Sequence, residues 1–202
     1  MQQSKRRSVF LDLAVLLAMF LAAPAIADGP SYNFVRVSYD SVNLDLGGGL
    51  DVDGDGYGLG GSFEIGESMF VFASYGTTNF DFDVDVDQLQ AGLGYHVGLT
   101  DNTDFVASLG YVAAEATAPG FESVDDSGYG AAIGVRSNVT DLIELFGNVS
   151  YVDFGDDDDG GETAVGAGIW FNFTDSFALG LGAASGDDVT SYGAGVRFSF
   201  GK

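Results

Sequence analysis

The chain has 202 residues, no cysteine, 30 acidic against 7 basic side chains and a formal net charge of −23. These counts exclude disulfides, thiolate chemistry and lipoprotein processing, and so acidic a surface repels phosphate backbones, which excludes nucleic acid as a partner. Disorder is excluded in turn by 17 Phe and 9 Tyr, too many aromatics for a chain that buries nothing, so any architecture has to account for acid, aromatics and 31 Gly together.

The N-terminus has the order of a secretory signal peptide: Lys5, Arg6 and Arg7, an apolar run to Leu21, then small residues ending Ala25-Ile26-Ala27. A membrane anchor is the rival reading, but the run is short for a bilayer and Asp12 interrupts it. Residues 1–27 are therefore expected to be removed, leaving 28–202 as one domain. Beyond residue 27 no apolar run approaches the roughly 18 residues of a spanning helix, and the remaining cations are Arg36, Arg136, Arg197 and Lys202.

From residue 31 onward the pattern has period two, the signature of strands. Tyr57, Leu59, Phe63 and Ile65 alternate with Gly58, Gly60, Ser62 and Glu64; Leu89, Ala91, Leu93, Tyr95 and Val97 alternate with Gln88, Gln90, Gly92, Gly94 and His96. The grammar repeats to the closing strand, where Tyr192, Ala194, Val196, Phe198 and Phe200 oppose Gly193, Gly195, Arg197 and Ser199. Segmenting on turns predicts ten strands, at about 31–41, 56–66, 69–82, 87–99, 104–115, 126–139, 143–154, 162–173, 177–186 and 189–200. Tight turns at 66–68, 100–103, 140–142 and 174–176 alternate with longer acidic connections centred on 42–55, 83–86, 116–125, 155–161 and 186–188.

Strands of this length, even in number, with one nearly unbroken apolar face and aromatics at their ends, predict an all-β antiparallel barrel that spans an outer membrane. Lipid offers backbone groups no partner, so such a sheet has to close. Short turns then lie in the periplasm, acidic loops outside, and both termini in the periplasm. Eight strands are the alternative if one hairpin stands above the membrane; a soluble sandwich or lipocalin-like barrel would also alternate, but with shorter strands.

The ending Tyr192-Gly-Ala-Gly-Val-Arg-Phe-Ser-Phe200 resembles the closing strand of outer-membrane barrels. That likeness implies that Phe198 and Phe200 serve as the signal read by the barrel assembly machinery. Asp28-Gly-Pro-Ser-Tyr-Asn33, Asp53-Gly-Asp-Gly-Tyr57, Phe70-Val-Phe-Ala-Ser-Tyr75 and Asp87-Gln-Leu-Gln-Ala-Gly-Leu-Gly-Tyr95 extend the likeness to small porin-like outer-membrane barrel proteins of gammaproteobacteria. The resemblance implies location and fold; in that family roles range over adhesins, structural barrels and narrow pores.

Alternation turns a few charges inward. Arg36 and Arg197 become neighbours when the barrel closes, Glu64 is expected beside Arg36, and Arg136 and Glu144 flank the 140–142 turn. The set reads either as an ion-pair network that plugs the lumen or as the constriction of a narrow channel. Asp51-Val-Asp53-Gly-Asp55-Gly56 copies the first half of a calcium loop, yet position twelve is Ser62 rather than Glu. With Asp156, Asp157, Asp158 and Asp159 it offers weak Ca²⁺ or Mg²⁺ binding that would bridge the acidic loops to lipopolysaccharide, against the plainer reading of a solvated rim. His96 faces inward near Ser108 without an evident orienting carboxylate, so no catalytic centre and no resident cofactor are expected. The functional expectation is an outer-membrane barrel with a structural or surface-interaction role in the envelope, and the alternative is a porin-like channel for ions or small polar solutes.

Overall fold

Ten antiparallel strands carry the alternating residues in the computed structural model, which describes residues 31–155, 161–186 and 188–201. They are β1 (Phe34–Asp45), β2 (Asp51–Glu64), β3 (Met69–Phe80), β4 (Val84–Thr100), β5 (Thr103–Thr117), β6 (Val124–Asn138), β7 (Ile143–Asp153), β8 (Glu162–Asn172), β9 (Phe177–Ser185) and β10 (Val189–Ser199). Each pairs with its neighbour in sequence, and β1 pairs with β10, so the sheet closes on itself and no edge is left. The expected signal peptide and Asp156, Asp157, Asp158 and Asp159 lie outside the described residues.

The outer face decides the medium. Val37, Leu59, Leu93, Leu109, Ile133 and Leu181 all point outward and are exposed, a continuous apolar band that water would not tolerate and lipid requires. The fold is a ten-stranded transmembrane β-barrel. Tyr39, Tyr57, Tyr75, Tyr111, Tyr129, Tyr151 and Tyr192 ring the band toward the loop end, whereas Phe63, Phe173, Phe177, Phe198 and Phe200 point outward nearer the termini. The tyrosine hydroxyls reach for polar groups farther up: Tyr39 donates to Asp55 at 2.7 Å and Tyr75 to Asp87 at 2.8 Å. An apolar ring with a polar tip suits that boundary.

Three of the expected acidic connections are shorter than alternation suggested. The connection expected over 42–55 narrows to 46–50 and that over 116–125 to 118–123, while that over 83–86 shifts to 81–83, taking in two residues expected in the third strand and giving up three to the fourth. The cause is a change of phase. On β1 the outward face passes from Val35, Val37 and Tyr39 to Ser41, Asn43 and Asp45, while the inward face passes from Arg36, Ser38 and Asp40 to Val42 and Leu44. Above the lipid the outer surface meets water, so polar residues turn out and apolar residues turn in. A search for apolar-outward alternation reads this inversion as a loop.

The inverted segments build an apolar core inside the loop end of the barrel. Val42 and Leu44 of β1, Val52 of β2, Phe80 of β3, Val86 of β4, Val112 of β5, Val152 of β7 and Val189 of β10 pack there as one cluster. Burial of such side chains stabilises by about 1.5–3 kcal/mol each relative to exposure. Lower down, inner-face glycines seat aromatic rings: a Cβ at Gly180 would stand 2.5 Å from the Trp170 ring, and one at Gly94 would meet the Phe70 ring. The abundance of glycine and aromatics thus has one explanation, since flat rings fill a narrow bore only where the facing strand has no side chain.

Candidate functional site in the lumen

Below the glycine-seated rings, in the half nearer the termini, the lumen becomes charged. Arg136 on β6 and Glu144 on β7 flank the intervening turn and form an ion pair. Glu144 also reaches across the bore to Arg197 on β10, whose Nη2 lies 2.6 Å from Glu144 Oε2. The same Nη2 donates to Asn172 Oδ1 at 3.1 Å, and the guanidinium carbon sits 4.6 Å from the centre of the Trp170 ring. Glu144 is wholly enclosed, and both arginines are 2% exposed. A carboxylate shared by two guanidiniums from strands two hairpins apart ties opposite walls of the barrel together.

Arg36 faces Arg197 directly in the β1–β10 register. Glu64 does not stand beside it. In the β1–β2 register Arg36 opposes Gly60, and Glu64 lies four residues nearer the turn, about 13 Å along the strand. Register, not proximity of strands, sets the partner.

Glu64 belongs instead to a second cluster. His96 on β4 has Nε2 3.5 Å from Glu64 and Nδ1 3.4 Å from Asp104 on β5. The orienting carboxylate not evident in the sequence is therefore present twice. With both imidazole nitrogens facing carboxylates, neither faces a serine hydroxyl, and the arrangement lacks the nucleophile–base contact of a hydrolase. The histidine ring is covered by Tyr32, which precedes β1 and turns into the lumen. Its ring stacks on His96 at 3.9 Å and on Phe70 at 4.6 Å, and its hydroxyl donates to Asp104 at 3.0 Å. Tyr32 has no exposed surface. Tyr32 shares the inward parity of Arg36 in the strand expected over 31–41, and Asp104 that of Ser108 on β5; sequence reasoning gave neither a role, because parity assigns a face and not the partners met across the bore.

The aspartates singled out for metal binding are arranged otherwise. Asp51, Asp53 and Asp55 lie on β2 rather than in a loop, pointing outward about 7 Å apart along the strand. Asp53 accepts from Asn43 Nδ2 at 2.9 Å and Asp55 from Tyr39. An extended strand cannot wrap three carboxylates around one point, and among the described residues no group of three His, Cys, Asp or Glu side chains is placed to hold a metal ion. Phe198 and Phe200 face outward at the termini, and the Phe200 amide donates to the Asn33 carbonyl at 3.0 Å.

The model of the outer membrane protein β-barrel domain family matches residues 13–200. No curated protein matches the chain. Among solved structures, the translocator domain of autotransporter NalP from Neisseria meningitidis is 11% identical with a TM-score of 0.54, covering 98% of each chain. Neisserial surface protein A is 17% identical over 84% of this chain and 98% of its own, with a TM-score of 0.45. The KdgM porin is 11% identical over 82% of this chain and 99% of its own, at 0.47. The first likeness speaks for the fold alone.

Proposed function

Because this chain belongs to the outer membrane protein β-barrel domain family, we propose that it serves the outer membrane as a closed barrel with a structural or surface-interaction role. Its termini lie in the periplasm and its acidic loop end faces outward, where lipopolysaccharide is the neighbouring lipid. The observation that carries the reading is the apolar core of Val42, Leu44, Phe80, Val112 and Val152 across the loop end. The interior of a water-filled pore is polar, whereas a hydrophobic layer across the bore bars ions by refusing to wet. The Arg136–Glu144–Arg197 bridge crosses the bore beneath it. In this reading Glu64 and the bridge residues stabilise the lumen, none of the inward charges, Arg36 included, selects solutes for passage, Phe198 and Phe200 present the assembly signal, and outward carboxylates meet lipopolysaccharide through weakly held Ca²⁺ or Mg²⁺.

Single-channel recording of the refolded protein in a planar bilayer tests it. The native barrel is expected to be silent, and replacing Phe80, Val112 and Val152 together by Ser to give discrete openings. Openings from the native protein, with ion selectivity altered by Arg197→Ala, would replace the closed barrel with a porin-like narrow channel.

The leader belongs to the same proposal. Intact mass of the protein taken from outer membranes is expected to correspond to a chain beginning at Asp28; retention of Met1 to Ala27 would refute cleavage.

A further inference from the structure

The described lumen holds three buried arginines, and Glu144 is the carboxylate that forms ion pairs with two of them, Arg136 and Arg197. Arg136 is further compensated by Asp104, its direct partner in the β5–β6 register. Arg36 forms no contact ion pair among the described residues, and it feels the attraction of Asp40 only through space. It is 4% exposed, it opposes Arg197 in register, and its Nε and Nη2 have no hydrogen-bond partner; Nε and Nη1 of Arg197 have none either. Asp40, the other carboxylate on the inner face of β1, accepts from Ser38 at 2.9 Å and forms no ion pair with Arg36.

Two like charges directly opposite on one face of an antiparallel pair repel. Guanidinium N–H groups buried without acceptors lose their hydration unrepaid. Both faults have one remedy, an anion between the two forks. Two observations say how it would be admitted. Opposite Arg36 on β2 stands Gly60, where an added Cβ would lie 3.5 Å from Arg36 Nε, so the neighbouring wall carries no side chain over the guanidinium. At the terminus end a cavity of about 260 Å³ reaches Arg197 and is lined also by Asn172, Ser199 and Thr174, with Asp141 and Asp175 among its acidic residues.

We propose that Arg36 and Arg197 together form a binding site for one small oxyanion, free phosphate or sulfate, entered from the terminus end of the barrel. Planar guanidinium forks match the oxygen spacing of such an anion and bind it through paired N–H donors. Asp141 and Asp175 oppose any anion at the mouth, so retention rests on the arginine forks within, and a cavity of about 260 Å³ suits a small ion rather than a large polyanion. The site needs no passage through the apolar core, so it stands whether or not the barrel conducts.

The test is titration calorimetry of the refolded barrel in detergent with sodium phosphate, at ionic strength held constant with sodium chloride, alongside thermal denaturation. The native protein is expected to bind one phosphate, competed by sulfate, with a raised melting temperature. Arg36→Met is expected to weaken binding at least tenfold, to melt no lower than the native protein in phosphate-free buffer because the repulsion is gone, and to gain nothing from phosphate. Should Arg36→Met fail to fold, Arg36→Lys keeps the charge without the fork and is expected to lose the same tenfold. Absence of saturable phosphate binding by the native barrel overturns the proposal, as does an equal response to chloride at matched ionic strength or undiminished affinity in a folded Arg36 variant.

Discussion

Glu144→Gln is expected to destabilise the barrel by about 3–5 kcal/mol, the usual consequence of removing one partner from a buried ion pair. The substitution keeps the shape and a hydrogen-bonding oxygen but leaves Arg136 and Arg197, each 2% exposed, without their common counter-charge. Urea unfolding in detergent or lipid, followed by tryptophan emission, reads the loss directly because Trp170 lies against Arg197. Removing all the charges should restore most of it. In the combined variant Arg136→Met, Glu144→Leu, Arg197→Met the bridge leaves neither a guanidinium nor a carboxylate of its own without a counter-charge, and apolar replacement of a whole buried ionic group is often neutral or stabilising. A loss below about 1 kcal/mol in Glu144→Gln would mean that water reaches the bridge and that it does not hold the walls together.

Tyr32→Ala is the second large effect, expected at about 3–5 kcal/mol, the range for truncating a buried aromatic side chain. The ring fills the lumen between His96 and Phe70 and has no exposed surface. Its removal leaves a void beneath two aromatic rings and deprives Asp104 of a donor at 3.0 Å. Tyr32→Phe separates the two contributions: it keeps the stacking and removes the hydroxyl, so a loss of about 1–3 kcal/mol is expected from the buried acceptor left short of a partner. If Tyr32→Ala unfolded at the same urea concentration as the native protein, the segment before β1 would not be lodged in the bore.

Strand number and facing are legible in the sequence because both are local. A residue's side of the sheet follows from its place in a period-two pattern. That is why Arg36, Glu64, Arg136, Glu144 and Arg197 were all assigned inward and all point inward. The same locality misled at the loop end, where Val42, Leu44, Val52 and Val86 turned an apolar-outward pattern into an apolar-inward one. Alternation persisted there, but its phase depends on whether lipid or water lies outside, and that is set by height in the membrane rather than by neighbours in the chain.

Composition and periodicity by themselves determined that this chain is an all-β barrel with an acidic, aromatic-girdled exterior, since each strand declares its two faces independently of the others. Tertiary structure alone decided the company those faces keep. Glu64 meets His96 rather than Arg36 because register displaces it along β2. Glu144 meets Arg197, from a strand distant in sequence, because curvature brings β7 and β10 across one narrow bore. Tyr32 enters the lumen because the closed wall encloses a space that no single strand contains. Contacts across a lumen depend on closure, register and strand tilt summed around the whole ring, and a pattern read one strand at a time carries none of these.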